Sequence, residues 1–191
     1  GDITPDSYNI STIGYASRIT NFFKKLKISS GSVGKVDNRG DLVPIKSMSR
    51  WQSRGESRQS MLSYKNGRLS GFEFTPELKK DYHIDDPVGI KNTIDPVSLI
   101  AWFLRDQSEN ELCTGRLMVL DGFRMSELIF LQRTKKQNSI KCIGNLNRIK
   151  GFKLKQFAKK PLTFELEYSL QSDGSSNLKN IKIETMFGNL K

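Results

Sequence analysis

Hydrophobic and polar positions alternate with period two along much of this 191-residue chain, the spacing at which neighbouring side chains of an extended strand point to opposite faces. Leu162, Phe164, Leu166, Tyr168 and Leu170 alternate with Thr163, Glu165, Glu167 and Ser169, which predicts a strand with one face to the core and one to water. After Asp173, Gly174 and a serine-rich turn, Ile181, Ile183, Thr185 and Phe187 alternate with Lys182, Glu184 and Met186, so the two runs predict a closing hairpin. Two more hairpins are expected around dipeptides that tolerate positive φ: Asp121-Gly122 between 116–120 and 123–131, and Asn66-Gly67 between 57–64 and 68–74. A further turn cluster at 38–41, with Gly40 at its end, separates runs at 22–36 and 42–51. Short strands at hairpin spacing predict a mainly β fold: an antiparallel, strongly curved sheet or half-barrel forming a single β-rich domain over 1–191.

One segment departs from the alternation. Asp95 is a capping acid, Pro96 suits a first helical position, and Val97 to Leu104 is an apolar run, so a short helix is expected here. Its residues are apolar nearly all round, so it should be buried in the core or plug an opening in the sheet. The functional counterpart of a plug is a lid over a cavity, with Leu99, Trp102 and Phe103 touching a ligand. The stretch 76–93 before it is polar, carries Pro87 and Gly89, and reads as a loop crossing the barrel rim.

Charge changes this picture in one place. Lys and Arg number 31 against 20 Asp and Glu, a net charge of +11. Between Glu127 and Glu165 there is no acid, while Arg133, Lys135, Lys136, Lys141, Arg148, Lys150, Lys153, Lys155, Lys159 and Lys160 supply the excess. Such a segment attracts polyanions or anionic headgroups, with Lys150, Lys153, Lys155, Lys159 and Lys160 the candidate anion-binding residues. Compositional drift onto a solvated face is the competing account, since Lys, Asn and Ile are all abundant. Only Phe152 and Phe157 interleave the lysines, and no zinc-knuckle or recognition-helix pattern accompanies them, so nucleic-acid binding is disfavoured. The longest apolar stretch, 97–104, falls far short of the roughly 18–20 residues of a membrane span, so no transmembrane segment is expected.

Catalytic and metal chemistry find little support. His83 is the single histidine and sits among Asp81, Asp85 and Asp86 on a polar loop, where solvation explains it better than convergent ligation. Neither a phosphate loop nor a nucleophile elbow is present. No enzyme activity, cofactor or metal is expected. Cys113 and Cys142 leave two alternatives open. A disulfide would close a loop of about 30 residues, worth roughly 3.6 kcal/mol in the chain-entropy picture. Two buried free thiols of a cytosolic protein fit the spacing equally well. Gly1 opens the sequence without a hydrophobic leader, so any export signal is expected either to have been cleaved or to lie outside this sequence.

Several motifs then resemble one family in order. Ile94-Asp95-Pro96-Val97-Ser98-Leu99-Ile100 is similar to the Leu-Asp-Pro-Leu-Ser-x-Leu stretch of an exported domain-of-unknown-function family of Gram-negative envelopes. Cys113, Arg116-Leu117 and Val119-Leu120-Asp121-Gly122-Phe123-Arg124 resemble its cysteine and Asp-Gly hairpin. Cys142 with Gly151 resembles its second cysteine and following glycine element, and Ile183 to Gly188 its closing strand, with Met186 in place of a proline. The resemblance runs from about Asn66 to Gly188. It implies a periplasmic or secreted protein, shaped like a lipocalin or a lipoprotein carrier, with Cys113 bonded to Cys142 and no known activity. Two functions follow as expectations. The first is a non-catalytic envelope protein holding an apolar ligand, a lipid or a lipidated partner in a concave sheet. The second is an interaction module whose basic face, 133–160, binds an acidic protein, glycan, headgroup or nucleic acid.

Overall fold

The computed structural model of this protein describes residues 1–16, 26–53, 55–77, 87–185 and 188–190. Positions 22–25 of an expected strand, His83 with its acidic neighbours, and Met186 and Phe187 lie outside the described residues. Two sheets carry the chain. The first is an antiparallel meander of β1 (Asp2–Ile3), β2 (Ser7–Ala16), β3 (Leu26–Val36), β4 (Leu42–Ser53), β5 (Glu56–Lys65) and β6 (Arg68–Thr75), each strand beside its sequence neighbours. The second, a curled half-barrel, orders β7 (Thr93–Ile94), β8 (Arg116–Leu120), β9 (Met125–Lys136), β10 (Ser139–Lys150), β11 (Leu162–Leu170), β12 (Ser176–Thr185) and β13 (Gly188–Leu190). Helix α1 (Pro96–Leu104) follows β7, and a four-residue helix α2 (Leu154–Phe157) interrupts the link from β10 to β11.

The local rules account for most of these elements. Asn66 and Gly67 take φ of 51° and 68° between paired Lys65 and Arg68, the two positive angles of a tight hairpin. The turn at Asp121 differs from expectation, since β9 starts at Met125 and the loop holds four residues. Its Asp121 side chain accepts from the amides of Phe123 (3.2 Å) and Arg124 (2.8 Å), so the carboxylate, not the dipeptide, shapes the loop. Gly122, at φ 97°, has no room for a side chain: a Cβ there would come within 2.6 Å of Leu62 and 2.8 Å of Phe74. The turn of one sheet therefore presses on the inner face of the other. Thr93, expected in a loop, belongs instead to β7, which pairs in parallel with β8 at Met118 and Val119.

Helix α1 lies between the sheets. Its Val97, Ala101, Trp102 and Phe103 share one core cluster with Tyr8, Ile10 and Leu42 of the first sheet and Leu128, Ile140, Phe164, Leu166 and Tyr168 of the second. Burying such side chains stabilises by roughly 1.5–3 kcal/mol each. The cysteines are joined: Cys113 and Cys142 form a disulfide with their Cα atoms 5.2 Å apart. The bond ties the connection from α1 to β8 onto the middle of β10, where Cys142 is wholly buried. Among the described residues, no helix is long and apolar enough to cross a membrane.

Candidate functional site

The site is built around α1, and its N-terminal end fixes everything else. Asp95, fully buried, caps the helix through Oδ1, which accepts from the amides of Val97 (2.9 Å) and Ser98 (3.1 Å). The same oxygen accepts from Ser47 Oγ of β4 at 2.9 Å, and Oδ2 accepts from Ser32 Oγ of β3 at 2.9 Å and from Ser98 Oγ. With the Ser98 proton given to Asp95, Tyr8 Oη of β2 donates to Ser98 Oγ at 2.6 Å. A buried carboxylate is tolerable only when its lone pairs are met by donors, and here they are. Burial pushes the Tyr8 phenol up to about 12, with the nearby Asp95 charge adding to the rise against the Ser98 bond.

The C-terminal half of α1 is held by rings. Trp102 lies 6.1 Å from Phe130 and Phe103 6.0 Å from Phe164, centroid to centroid, and Phe130 meets Phe164 edge to face at 5.6 Å. Tyr168 Oη donates to the Phe103 carbonyl at 3.2 Å. Trp102 and Phe103 thus face the packed core, while Leu99 is half-buried and reaches open space.

That space is a cleft of about 220 Å³ between α1 and the concave face of the second sheet. Pro96 and Leu99 form one wall, Val119, Leu146 and Leu162 the floor, and Phe152 the far rim. Period two explains the floor, because Leu146 and Arg148 on β10 point the same way, opposite Leu128 and Ser126 of β9. Two guanidiniums and the Asp121 carboxylate border this apolar surface, a net positive rim. Arg124 packs over Phe123 and Phe152, 4.5 and 5.5 Å from the ring centroids, and pairs with Asp121 at 2.8 Å. Arg148 lies 5.9 Å from the Phe152 centroid and donates to the carbonyls of Lys159 (3.2 Å) and Lys160 (2.9 Å). A second cleft, about 370 Å³, opens at the other end of α1, lined by Ile3, Val36, Leu42, Arg105, Asp106 and Glu111 among others. Its lining mixes Arg39, Arg105, Asp106 and Glu111 with a smaller apolar share, and Arg39 is paired with Asp37 and Asp41, each at 3.3 Å.

The basic segment divides in two. At one end of the β9–β10 hairpin Glu109 binds Arg133 (3.2 Å) and Lys135 (2.7 Å), and Glu165 binds Lys141 (2.7 Å). The hydrogen bond from Lys135 holds the Glu109 carboxyl below the ordinary glutamate range. At the other end Lys150, Lys153, Lys155, Lys159 and Lys160 surround α2, beside the cleft. Among the described residues, no carboxylate is paired with Lys150, Lys155 or Lys160.

Arg124, Arg148 and Phe152 line the cleft without being among the ligand-binding candidates the sequence offers. Arg148 carried a usable signal, as a charge falling on the inward phase of a strand whose other inward residues include Ile140, Cys142 and Leu146. Among the described residues, no three His, Cys, Asp or Glu side chains converge as metal ligands. Compared with protein-family models, curated proteins and solved structures, the chain matches none of them.

Proposed function

We propose that this protein is a non-catalytic binding protein of the cell envelope, periplasmic or secreted, that holds the acyl chain of an anionic amphiphile or of a lipidated partner in the α1 cleft. The observation that carries the reading is one apolar floor with two arginines at its edge. An acyl chain gains from leaving water over Leu99, Val119, Leu146 and Leu162, while a carboxylate or phosphate at its head meets guanidinium donors suited to oxyanions. The cleft, about 220 Å³, is smaller than the roughly 300–1,000 Å³ of drug-sized pockets, so it covers part of one chain and not a whole bilayer lipid. The disulfide supports an oxidising compartment, since such bonds persist there and are rare in the cytosol.

Titration calorimetry with dodecanoate, dodecanol and dodecyltrimethylammonium tests this reading. Dodecanoate is expected to bind most tightly, dodecanol more weakly, and the cation weakest. Leu99→Trp, which fills the cleft, is expected to abolish dodecanoate binding while leaving the fold intact by circular dichroism. Equal binding of all three, or full binding by Leu99→Trp, would overturn it. The interaction-module reading predicts steep salt dependence and indifference to Leu99→Trp.

A further inference from the structure

The link from β10 to β11 lies beside the cleft and carries the most exposed large apolar side chain among the described residues. Leu154 on α2 is 89% exposed, far beyond any other large apolar residue described, and Phe157 and Ile149 are 43% and 41% exposed. Phe157 stacks edge to face on Phe152, a cleft residue, with centroids 5.8 Å apart. Gly151, at φ 81°, lets the link close on the Asp121 turn, because a Cβ there would come within 2.1 Å of the Phe123 carbonyl oxygen. The apolar tip is thus held at a fixed place beside the mouth. Lys150, Lys153, Lys155, Lys159 and Lys160 surround it, and the chain carries no acid from 128 to 164.

We propose that residues 149–160 form a docking tip for an anionic lipid bilayer, seating the cleft mouth at the membrane surface. Lysines alone would serve any polyanion. The fully exposed leucine decides between partners, because a soluble acidic polymer offers it nothing, whereas the boundary between headgroups and acyl chains buries it while the lysines meet the phosphates. The docking rests on the exposure and charge of the tip; only its purpose, exchange of an acyl chain with the bilayer, rests on the proposed function.

Co-sedimentation of the full chain with vesicles of phosphatidylcholine, with and without phosphatidylglycerol, tests the tip. Binding is expected only to the phosphatidylglycerol vesicles and should weaken as salt rises. Leu154→Ser is expected to lower partitioning about tenfold, and Lys150→Ala, Lys155→Ala and Lys160→Ala about fivefold each, all with unchanged thermal unfolding. Binding to polyglutamate should survive Leu154→Ser. Vesicle binding unaffected by Leu154→Ser, with lysine variants losing vesicles and polyglutamate alike, would overturn the proposal in favour of a polymer-binding face; absence of vesicle binding by the native chain would overturn it outright. Leu99→Trp separates the two readings, since it should keep vesicle binding while losing dodecanoate.

Discussion

The two sheets grip α1 by different physics. The first sheet holds its N-terminal end through directional bonds, with Ser32, Ser47 and Tyr8 on three adjacent strands reaching Asp95 and Ser98. The second holds its C-terminal half mainly through rings, with Phe130 and Phe164 against Trp102 and Phe103, and adds one bond from Tyr168 Oη to the Phe103 carbonyl. Hydrogen-bond geometry sets where the helix begins and how it is turned, whereas aromatic packing supplies affinity without fixing register so strictly. The cleft lies where neither grip extends, at Pro96 and Leu99, so its shape depends on both.

Breaking either grip should have the largest effects, and the directional one comes first. Asp95→Ala removes the acceptor from two amides and three hydroxyls and is expected to cost about 4 kcal/mol of stability in chemical denaturation. A cost below about 1 kcal/mol would show that the rings alone position α1. Next comes the disulfide, whose removal in Cys113→Ala/Cys142→Ala is expected to cost roughly 3.6 kcal/mol, with the native near-ultraviolet spectrum retained below the new midpoint.

Alkaline pH probes both grips together. Burial pushes Tyr8 and Tyr168 up to about 12 and Tyr64 further in the same direction, from an unfolded value near 10. Below pH 10 the phenols are protonated in both states and the stability is fully present. Above it the unfolded chain releases protons that the fold retains, so stability falls through the window from 10 to about 12. Near pH 11 the loss is about 1.4 kcal/mol from each of Tyr8 and Tyr168, measured by denaturation against pH. A flat profile to pH 12 would mean these phenols are not buried as described. The smallest effect belongs to Tyr8→Phe, which removes one donor to Ser98 and is expected to cost about 1 kcal/mol. Trp102→Ala, by contrast, should cost about 3–5 kcal/mol through the cavity it leaves, and combining it with Tyr8→Phe tests whether the grips are independent.

Much of the scaffold was legible in the sequence because its signals are local. Alternation marks β11, a positive-φ dipeptide marks the turn at Asn66, and the acid-proline pair marks the start of α1. The Asp95 network was not legible, since Ser32 and Ser47 lie 63 and 48 residues away and serines on strands look like ordinary surface residues. The division of the basic segment was hidden for the same reason, because Glu109 reaches Arg133 and Lys135 only through the fold. The cysteine spacing left bonded and free thiols open, and the fold closes the distance. Arg124 and Arg148 become cleft residues only when the Asp121 turn and the end of β10 come together around Phe152.

Photocrosslinking with a dodecanoate that carries a diazirine near its methyl end tests the central claim most directly. Peptide mapping is predicted to place the adducts on Leu99, Leu146 and Leu162, and excess unlabelled dodecanoate should suppress them. Adducts confined to the outer faces of the sheets, or insensitive to competitor, would contradict the cleft as the binding site.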